Sequence, residues 1–274
     1  GRPKDDTDPI LRLDKVAAPP AEIIGQPVKK LDKTVGPEVE EAVAAMQNGD
    51  VVMLENVRFL PGETKNDPEL AAELAKLGDV FVNDAFGTAH RAHCSTEGVG
   101  HILPGVMGFL MDKEISVLGK ALSEAEHPFV AIVGGSKISD KIGVVQNLLE
   151  KVDVLMIGGG MANTFLKAKG YEMGTSLVED DKTELALEIM AHAEKLGKKL
   201  LIPVDVTVAT AIDAPETAQT VAADQVPADR MALDIGPETV KIYQDAVMNA
   251  KTILWNGPMG VFEVDAFAVG TFAV

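Results

Sequence analysis

The sequence predicts an α/β protein with two sets of parallel strands flanked by helices. Three observations carry this. Short β-rich runs alternate with helical patterns along the whole chain. The runs are near-continuously apolar, as strands covered on both faces are. A helical segment, Met111 to Leu118, lies between the two sets, and His127-Pro128 breaks the chain before the second begins.

In order, the strand candidates are Val51 to Leu54, Val80 to Val82, Phe129 to Val133, Val154 to Ile157, Lys199 to Ile202 and Thr252 to Trp255. Helix ends are marked between them. Gly36-Pro37-Glu38 starts one helix, with proline at its first position and Gly49 behind it. Asp67 caps the next, followed by Pro68, and Gly78 closes it. Asp181 to Leu196 is amphipathic, with Leu185, Ile189, His192 and Leu196 at helical spacing, and Pro237 to Ala250 is another helix. Residues 213–230, rich in Ala, Asp, Thr and Pro, read as a surface loop or weak hairpin.

The 274 residues suffice for one large or two ordinary domains, and 46% apolar residues exclude disorder. The net charge of −17 is spread evenly, with −8 over residues 1–124 and −9 over the rest, so neither half offers the basic face of a DNA or RNA binder. Cys94 is the only cysteine, which excludes an internal disulfide framework and fits a reducing, cytoplasmic compartment. No apolar run approaches a membrane span of roughly 20 residues. The chain opens on Gly1-Arg2-Pro3-Lys4 and stops inside an apolar stretch, so both ends read as cuts through a longer protein.

Three glycine-rich turns follow strands in the second half: Gly134 to Lys141, Gly158 to Asn163, and Asn256 to Glu263. In a parallel sheet such turns gather beyond the carboxyl ends of the strands, where ligands bind. Glycine admits close backbone approach, and free N–H groups suit phosphate. None is a standard fingerprint. The first has the wrong spacing to lysine for a P-loop, and the second has Asn163 where a dinucleotide motif places its third glycine. One such turn alone is commonly tight strand-to-helix packing. Three in one sheet point to phosphate or nucleotide. Lys137 and Lys141, four apart, are expected on one face of a helix start, where a polyphosphate would offset their mutual repulsion.

Arg2, Arg58 and Arg91 sit in turn-like contexts in the first half, and the arginine fork suits phosphate or carboxylate. Arg12 and Arg230 read as surface residues. His90, His93 and Cys94 have poor spacing for a metal site, and no metal site is assigned. The two histidines extend a positive patch or bond locally. Glu263 could accept from ribose hydroxyls or be an ordinary loop acid. Trp255 is expected in the core. No serine elbow is present, and nothing suggests a Ser or Cys nucleophile.

Taken together, Gly1-Arg2-Pro3, Glu55 to Phe59, Asn83 to His93, Gly134 to Lys141, Gly158 to Phe165 and Trp255 to Glu263 closely resemble the phosphoglycerate kinase family, in the family's order and across the whole chain. The resemblance implies two Rossmann-like domains, both incomplete here, that close like a hinge. They are a partial N-terminal 3-phosphoglycerate domain over 1–108, an interdomain helix over 109–125, and a partial C-terminal nucleotide domain over 126–274. It implies reversible transfer of a phosphoryl group from 1,3-bisphosphoglycerate to MgADP, giving 3-phosphoglycerate and MgATP, in a monomer with Mg²⁺ accompanying ADP or ATP. By position, Arg2, Arg58 and Arg91 resemble the arginines on the acid's phosphate, with His93 in the same patch. Lys137 resembles the lysine on the migrating phosphoryl group and Lys141 its neighbour on the nucleotide phosphates. Gly159 and Gly160 resemble the adenosine pocket wall, Asn256 lies near the nucleotide, and Glu263 resembles the ribose ligand.

That chemistry agrees with the residues. The attacking carboxylate is already ionised at neutral pH, so no general base is needed, and the work reduces to positioning, water exclusion and charge neutralisation. The departures are at the ends. The family's first strand with its Asp-Phe-Asn signature, the arginine after it, the His-Leu before Gly1, the Gly-Gly-Gly-Asp turn with its Mg²⁺-linked aspartate, the later Gly-Gly-Gly-Ala-Ser-Leu-Glu segment and the closing tail are all absent from the sequence. The expectation is therefore open sheet edges, low stability and little turnover. Cys94 stands where the family pattern suggests a small residue, and reads as a tolerated substitution. The alternatives are a catalytically incomplete nucleotide-binding fragment of the same enzyme and, less well matched, a dinucleotide dehydrogenase.

Overall fold

Proline-started helices and three-residue strands make up the first part of the chain in a computed structural model that describes Pro3 and residues 9–274. The chain divides into two compact units, the division falling between Leu118 and Gly119. The first holds α1 (Ala18–Ile24), β1 (Val28–Lys30), α2 (Pro37–Ala44), β2 (Val51–Met53), α3 (Pro68–Ala75), β3 (Phe81–Asn83), β4 (Gly105–Met107) and most of α4 (Phe109–Ser123). The predicted starts hold. Pro37 opens α2 behind Gly36, and Asp67 caps α3 by accepting from the N–H groups of Glu69 (2.9 Å) and Leu70 (3.1 Å). Strand β1 pairs parallel with β2, and β3 pairs parallel with β4. Neither β1 (Val-Lys-Lys) nor β4 (Gly-Val-Met) is legible in the sequence, because neither carries the unbroken β-branched or aromatic run that marks β2 and β3.

Beyond β2, the buried Glu55 carboxylate organises the neighbouring chain. It accepts from the N–H groups of Leu13 (2.9 Å) and Asn56 (2.8 Å) and pairs with Lys30 (2.7 Å) and Arg12 (3.1 Å). Lys30 also meets Asp14 and Asp32. Arg12 is therefore a structural cation and not the plain surface residue expected. Otherwise the first unit is thinly packed: among its described residues the buried apolar side chains are Val39, Ala71, Ala75, Cys94 and Val99, while Val82, Val106 and Met107 stay about half exposed and Phe109 is 93% exposed.

The second unit contains β5 (Phe129–Val133), α5 (Ile142–Leu149), β6 (Val154–Ile157), α6 (Gly160–Ala168), α7 (Thr183–Lys195), β7 (Lys199–Leu201), β8 (Asp205–Ala209), β9 (Gln219–Ala222), β10 (Met231–Ile235), α8 (Pro237–Met248), β11 (Thr252–Asn256) and α9 (Val269–Ala273). Its main sheet is parallel, in the order β11-β5-β6-β7. All five β5 side chains are buried, the burial that their unbroken apolar run predicts. Phe129, Ala131 and Val133 pack with Val145 and Leu149 of α5, Phe165 of α6 and Ile189 of α7. Val130 and Ile132 pack with Tyr243 of α8 and Met259 on the opposite face. The Tyr243 hydroxyl, fully buried, donates to the carbonyls of Ile157 (2.6 Å) and Leu201 (3.2 Å) and so ties α8 to two strand ends.

Two corrections concern this unit. Trp255 is 43% exposed, because β11 is an edge strand of this sheet, and its indole N–H donates to the Gly257 carbonyl (2.7 Å). A second, antiparallel sheet of order β10-β8-β9 stands beside the first, and the parallel-only expectation missed it. The stretch 213–230 contributes β9 to it, and Arg230 there donates to the Thr217 carbonyl. The buried Asp205 of β8 caps α8 from outside the helix, accepting from the N–H groups of Glu238 (2.9 Å) and Thr239 (2.8 Å) and from the Thr239 hydroxyl (2.6 Å).

Asp234 of β10 is also buried, accepting from the N–H groups of Ile235 (2.9 Å) and Gly270 (2.6 Å). Burial pushes its carboxyl up to about 6, and the two N–H bonds counter only part of this. A group raised in this way contributes stability that is fully present below its unfolded value and lost as pH rises through about 6. Urea unfolding of the native chain and of Asp234→Asn is therefore expected to show the native chain losing stability relative to the variant between pH 4 and 7. A constant difference would place the carboxyl near its ordinary value. The thin packing of the first unit gives a second expectation. Limited proteolysis will cut within residues 1–118 before 119–274, checked by mass spectrometry of early fragments.

Candidate functional site

The three glycine turns predicted from the sequence meet at the carboxyl ends of β5, β6 and β11, and they meet backbone to backbone. The Gly134 N–H donates to the Asn256 carbonyl (2.9 Å), the Met161 N–H to the Gly135 carbonyl (2.9 Å), and the Gly159 N–H to the Met259 carbonyl (2.8 Å). A Cβ on Gly134 would lie 1.9 Å from the Pro258 carbonyl oxygen, and one on Gly159, at φ 67°, would lie 2.6 Å from the Gly135 N. Tight turn-to-turn packing, one of the two readings the sequence offered for these glycines, is what these contacts show.

Beside this junction lies a cavity of about 810 Å³. Its glycine wall is Gly135, Gly159 and Gly160, and Glu263 and Phe262 stand on another side. The remaining walls are mostly apolar: Leu177 and Val178 from the loop 174–179, and Met231, Ala232 and Leu233 from β10. A largely apolar cavity of this size with a few polar groups has the physical character of small-molecule sites. The sequence reading missed the β10 and 174–179 walls. Both depend on the antiparallel sheet, and neither is a turn that follows a strand of the parallel set, the signal that located the glycine turns. Asp234 supports this region from beneath, since Gly260 and Gly270 both lie against its carboxylate.

Lys137 and Lys141 do not share a helix face. Helix α5 starts at Ile142, and both lysines belong to the turn before it. Lys137 is exposed. Lys141 folds over Gly135 and donates to the Asn256 side-chain oxygen and, at 3.3 Å, to its carbonyl, which brings two predicted residues together. Burial draws the Lys141 ammonium below its ordinary value, against the opposing charge of Asp140. The N–H groups of Gly135, Ser136 and Lys137 have no acceptor among the described residues. Consecutive N–H groups without an acceptor, two of them on the cavity-lining residues Gly135 and Ser136, are a donor set of the kind that suits an anion.

In the first unit, Arg58 lies on the single turn Val57–Phe59, which Asn56 caps by accepting from the Arg58 N–H (3.1 Å) while donating to the Leu11 carbonyl (3.2 Å). Arg91 is half-buried in the turn after β3. Neither guanidinium has a hydrogen-bond or ion-pair partner among the described residues, in a chain with 42 carboxylates. His93 is buried, with Nδ1 3.7 Å from Glu63, whose carboxylate also accepts from the Ser95 N–H (3.0 Å) and hydroxyl (2.6 Å). Its ring thus faces a buried acid, a closer tie than a place in a basic patch requires. His90 is exposed. Cys94 is fully buried, with Sγ 3.2 Å from the carbonyls of Gly62 and Asp67, and burial pushes its thiol up. Arg2 lies outside the described residues. Among the described residues, no group of three His, Cys, Asp or Glu side chains is placed to hold a metal ion, and no helix is long and apolar enough to cross a membrane.

Comparison with known proteins agrees with this geometry. The family described as phosphoglycerate kinase matches residues 1–274. The phosphoglycerate kinase of Moorella thermoacetica is 58% identical over 274 residues, all of this chain and 70% of the relative. That of Pelotomaculum thermopropionicum is 56% identical with the same coverage. Among solved structures, phosphoglycerate kinase from Coxiella burnetii superposes with a TM-score of 0.80 at 40% identity, covering all of this chain and 69% of that one. The enzyme from Pyrococcus horikoshii gives 0.77 at 33% identity, covering 96% and 68%. With its glycine turns, its two α/β units and a sequence match running from end to end, the chain belongs to the phosphoglycerate kinase family.

Proposed function

We propose that the second unit holds ADP or ATP in the 810 Å³ cavity and that the first holds the three-carbon acid, for reversible phosphoryl transfer between 1,3-bisphosphoglycerate and MgADP. The observation that carries the nucleotide half is the free N–H run Gly135–Lys137 at the mouth of an apolar cavity. The apolar walls suit a base and the N–H nest suits phosphates. In this reading, residues 1–108 form the acid-binding domain, 109–125 the interdomain helix and 126–274 the nucleotide domain.

Gly159 and Gly160 let the nucleotide approach the backbone, and Glu263 accepts from its ribose hydroxyls. Lys141, anchored on Asn256, neutralises the nucleotide phosphates, and Lys137 neutralises the migrating phosphoryl group. Arg58, Arg91 and Arg2 bind the acid's phosphate, and His93 stands beside them. The Arg58 and Arg91 guanidinium groups, without partners among the described residues, support this, because the arginine fork suits bidentate binding of a phosphate or carboxylate. Mg²⁺ enters as part of the substrate, on the phosphates of ADP. Among the described residues no group of three His, Cys, Asp or Glu side chains is placed to hold it. No proton needs removing from the attacking carboxylate, so the chain's share of catalysis is orientation and charge neutralisation. A reducing cytoplasmic setting is consistent with the single, buried and unpaired Cys94.

A second reading has one observation in its favour. The chain spans 70% of the length of the relatives it matches, which fits a nucleotide-binding piece of the enzyme with little turnover. Titration calorimetry with MgADP and a coupled ATP assay separate the readings: binding with turnover supports the full reaction, binding alone the incomplete piece, and no binding neither. In the coupled assay, Lys137→Ala is expected to lower turnover by about 10²–10³-fold while the Kd for MgADP changes by no more than about tenfold. Unchanged turnover would remove Lys137 from the reaction. Arg58→Ala is expected to weaken 3-phosphoglycerate binding by about ten- to a hundredfold, the scale of charge-assisted bonds to phosphate, with MgADP binding unchanged in the calorimeter.

A further inference from the structure

The turn carrying Lys137 is held from behind by an acid that the reaction itself does not use. Glu179 ends the loop 174–179. Its Oε2 accepts from the N–H groups of Ile138 (2.6 Å) and Ser139 (3.1 Å), and its Oε1 accepts from the Ser139 hydroxyl (2.5 Å). The loop is itself fixed to α6. The Glu179 N–H donates to the buried Thr164 hydroxyl (3.2 Å), and the buried Asn163 side chain donates to the Leu177 carbonyl (3.2 Å).

A carboxylate beside an anion nest is an electrostatic cost, since it repels the phosphates the nest would bind. Its placement calls for a compensating role, and the division of the turn's N–H groups supplies one. Those of Ile138 and Ser139 are taken by Glu179, while those of Gly135, Ser136, Lys137 and Asp140 have no acceptor among the described residues. The Ile138 side chain, fully buried between these two sets, locks the same orientation from the core. We propose that Glu179 is a positioning residue for phosphoryl transfer: it clamps the turn 134–141 from its far side, so that the open N–H groups and Lys137 meet the nucleotide's phosphates. This rests on the nucleotide reading given above. Burial works against the ionised form of Glu179, but the Ser139 and Ile138 donors, with the nearby charge of Lys137, outweigh it and hold the carboxyl below its ordinary value.

The test compares adenosine with ADP on the 274-residue chain by calorimetry. Glu179→Ala is expected to weaken ADP by about tenfold, the scale of one charge-assisted hydrogen bond. Adenosine, which fills the apolar cavity but carries no phosphate for the open N–H groups and Lys137 to meet, should stay within about twofold of its original affinity. Glu179→Gln, which keeps an acceptor oxygen for the turn, should recover most of the ADP affinity. Hydrogen exchange at the Ile138 and Ser139 amides should speed up in Glu179→Ala with the thermal midpoint little changed. Equal losses of adenosine and ADP would make Glu179 a general support of the fold and overturn the proposal. ADP binding that Glu179→Ala leaves intact would overturn this inference alone, whereas absence of ADP binding to the unaltered chain would overturn the nucleotide reading and this inference together.

Discussion

The candidate site of the second unit depends on three strand-end turns approaching one another with no side chain between them. Gly134 lies against Pro258, and Gly159 against Gly135, at separations where a Cβ cannot fit. That contact brings the ends of β5, β6 and β11 close enough for one cavity to be lined by all three turns. It rests in turn on β5, whose fully buried side chains bind helices on both faces. Backbone contacts of this kind are rigid because they have no rotamers to change, and rigidity is what a reaction governed by positioning requires.

Charge is arranged on a second principle. The protein is strongly acidic, yet its cations are treated in two ways. Arg12 and Lys30 are consumed by Glu55, Asp14 and Asp32, where they secure the chain around β1 and β2. Arg58 and Arg91 are left without partners among the described residues. Residue type does not distinguish the two groups, since both contain arginine. The neighbouring carboxylates do. The structural cations lie beside a buried acid, and a buried acid left alone would carry a large desolvation cost.

Much of this was legible in the sequence. The β5 and β6 runs, the Asp67 cap and the proline starts of α2 and α8 are local signals, and each formed where local chemistry places it. The three glycine turns could be read as one site because parallel strands deliver their carboxyl ends to the same edge. The family resemblance was legible for the same reason: its motifs are contiguous stretches.

The sequence by itself therefore determined the α/β class, the family and the glycine turns, all of which are written in short windows of residues. Tertiary structure alone decided the rest. It placed Lys137 and Lys141 in a turn and not on a helix, exposed Trp255 on an edge strand, and set β8, β9 and β10 into an antiparallel sheet that walls the cavity. It also gave Glu179 its partners 40 and 41 residues away. These outcomes depend on which segments pack together over long separations, and an acid bonded to a distant amide looks, in one dimension, like any other acid.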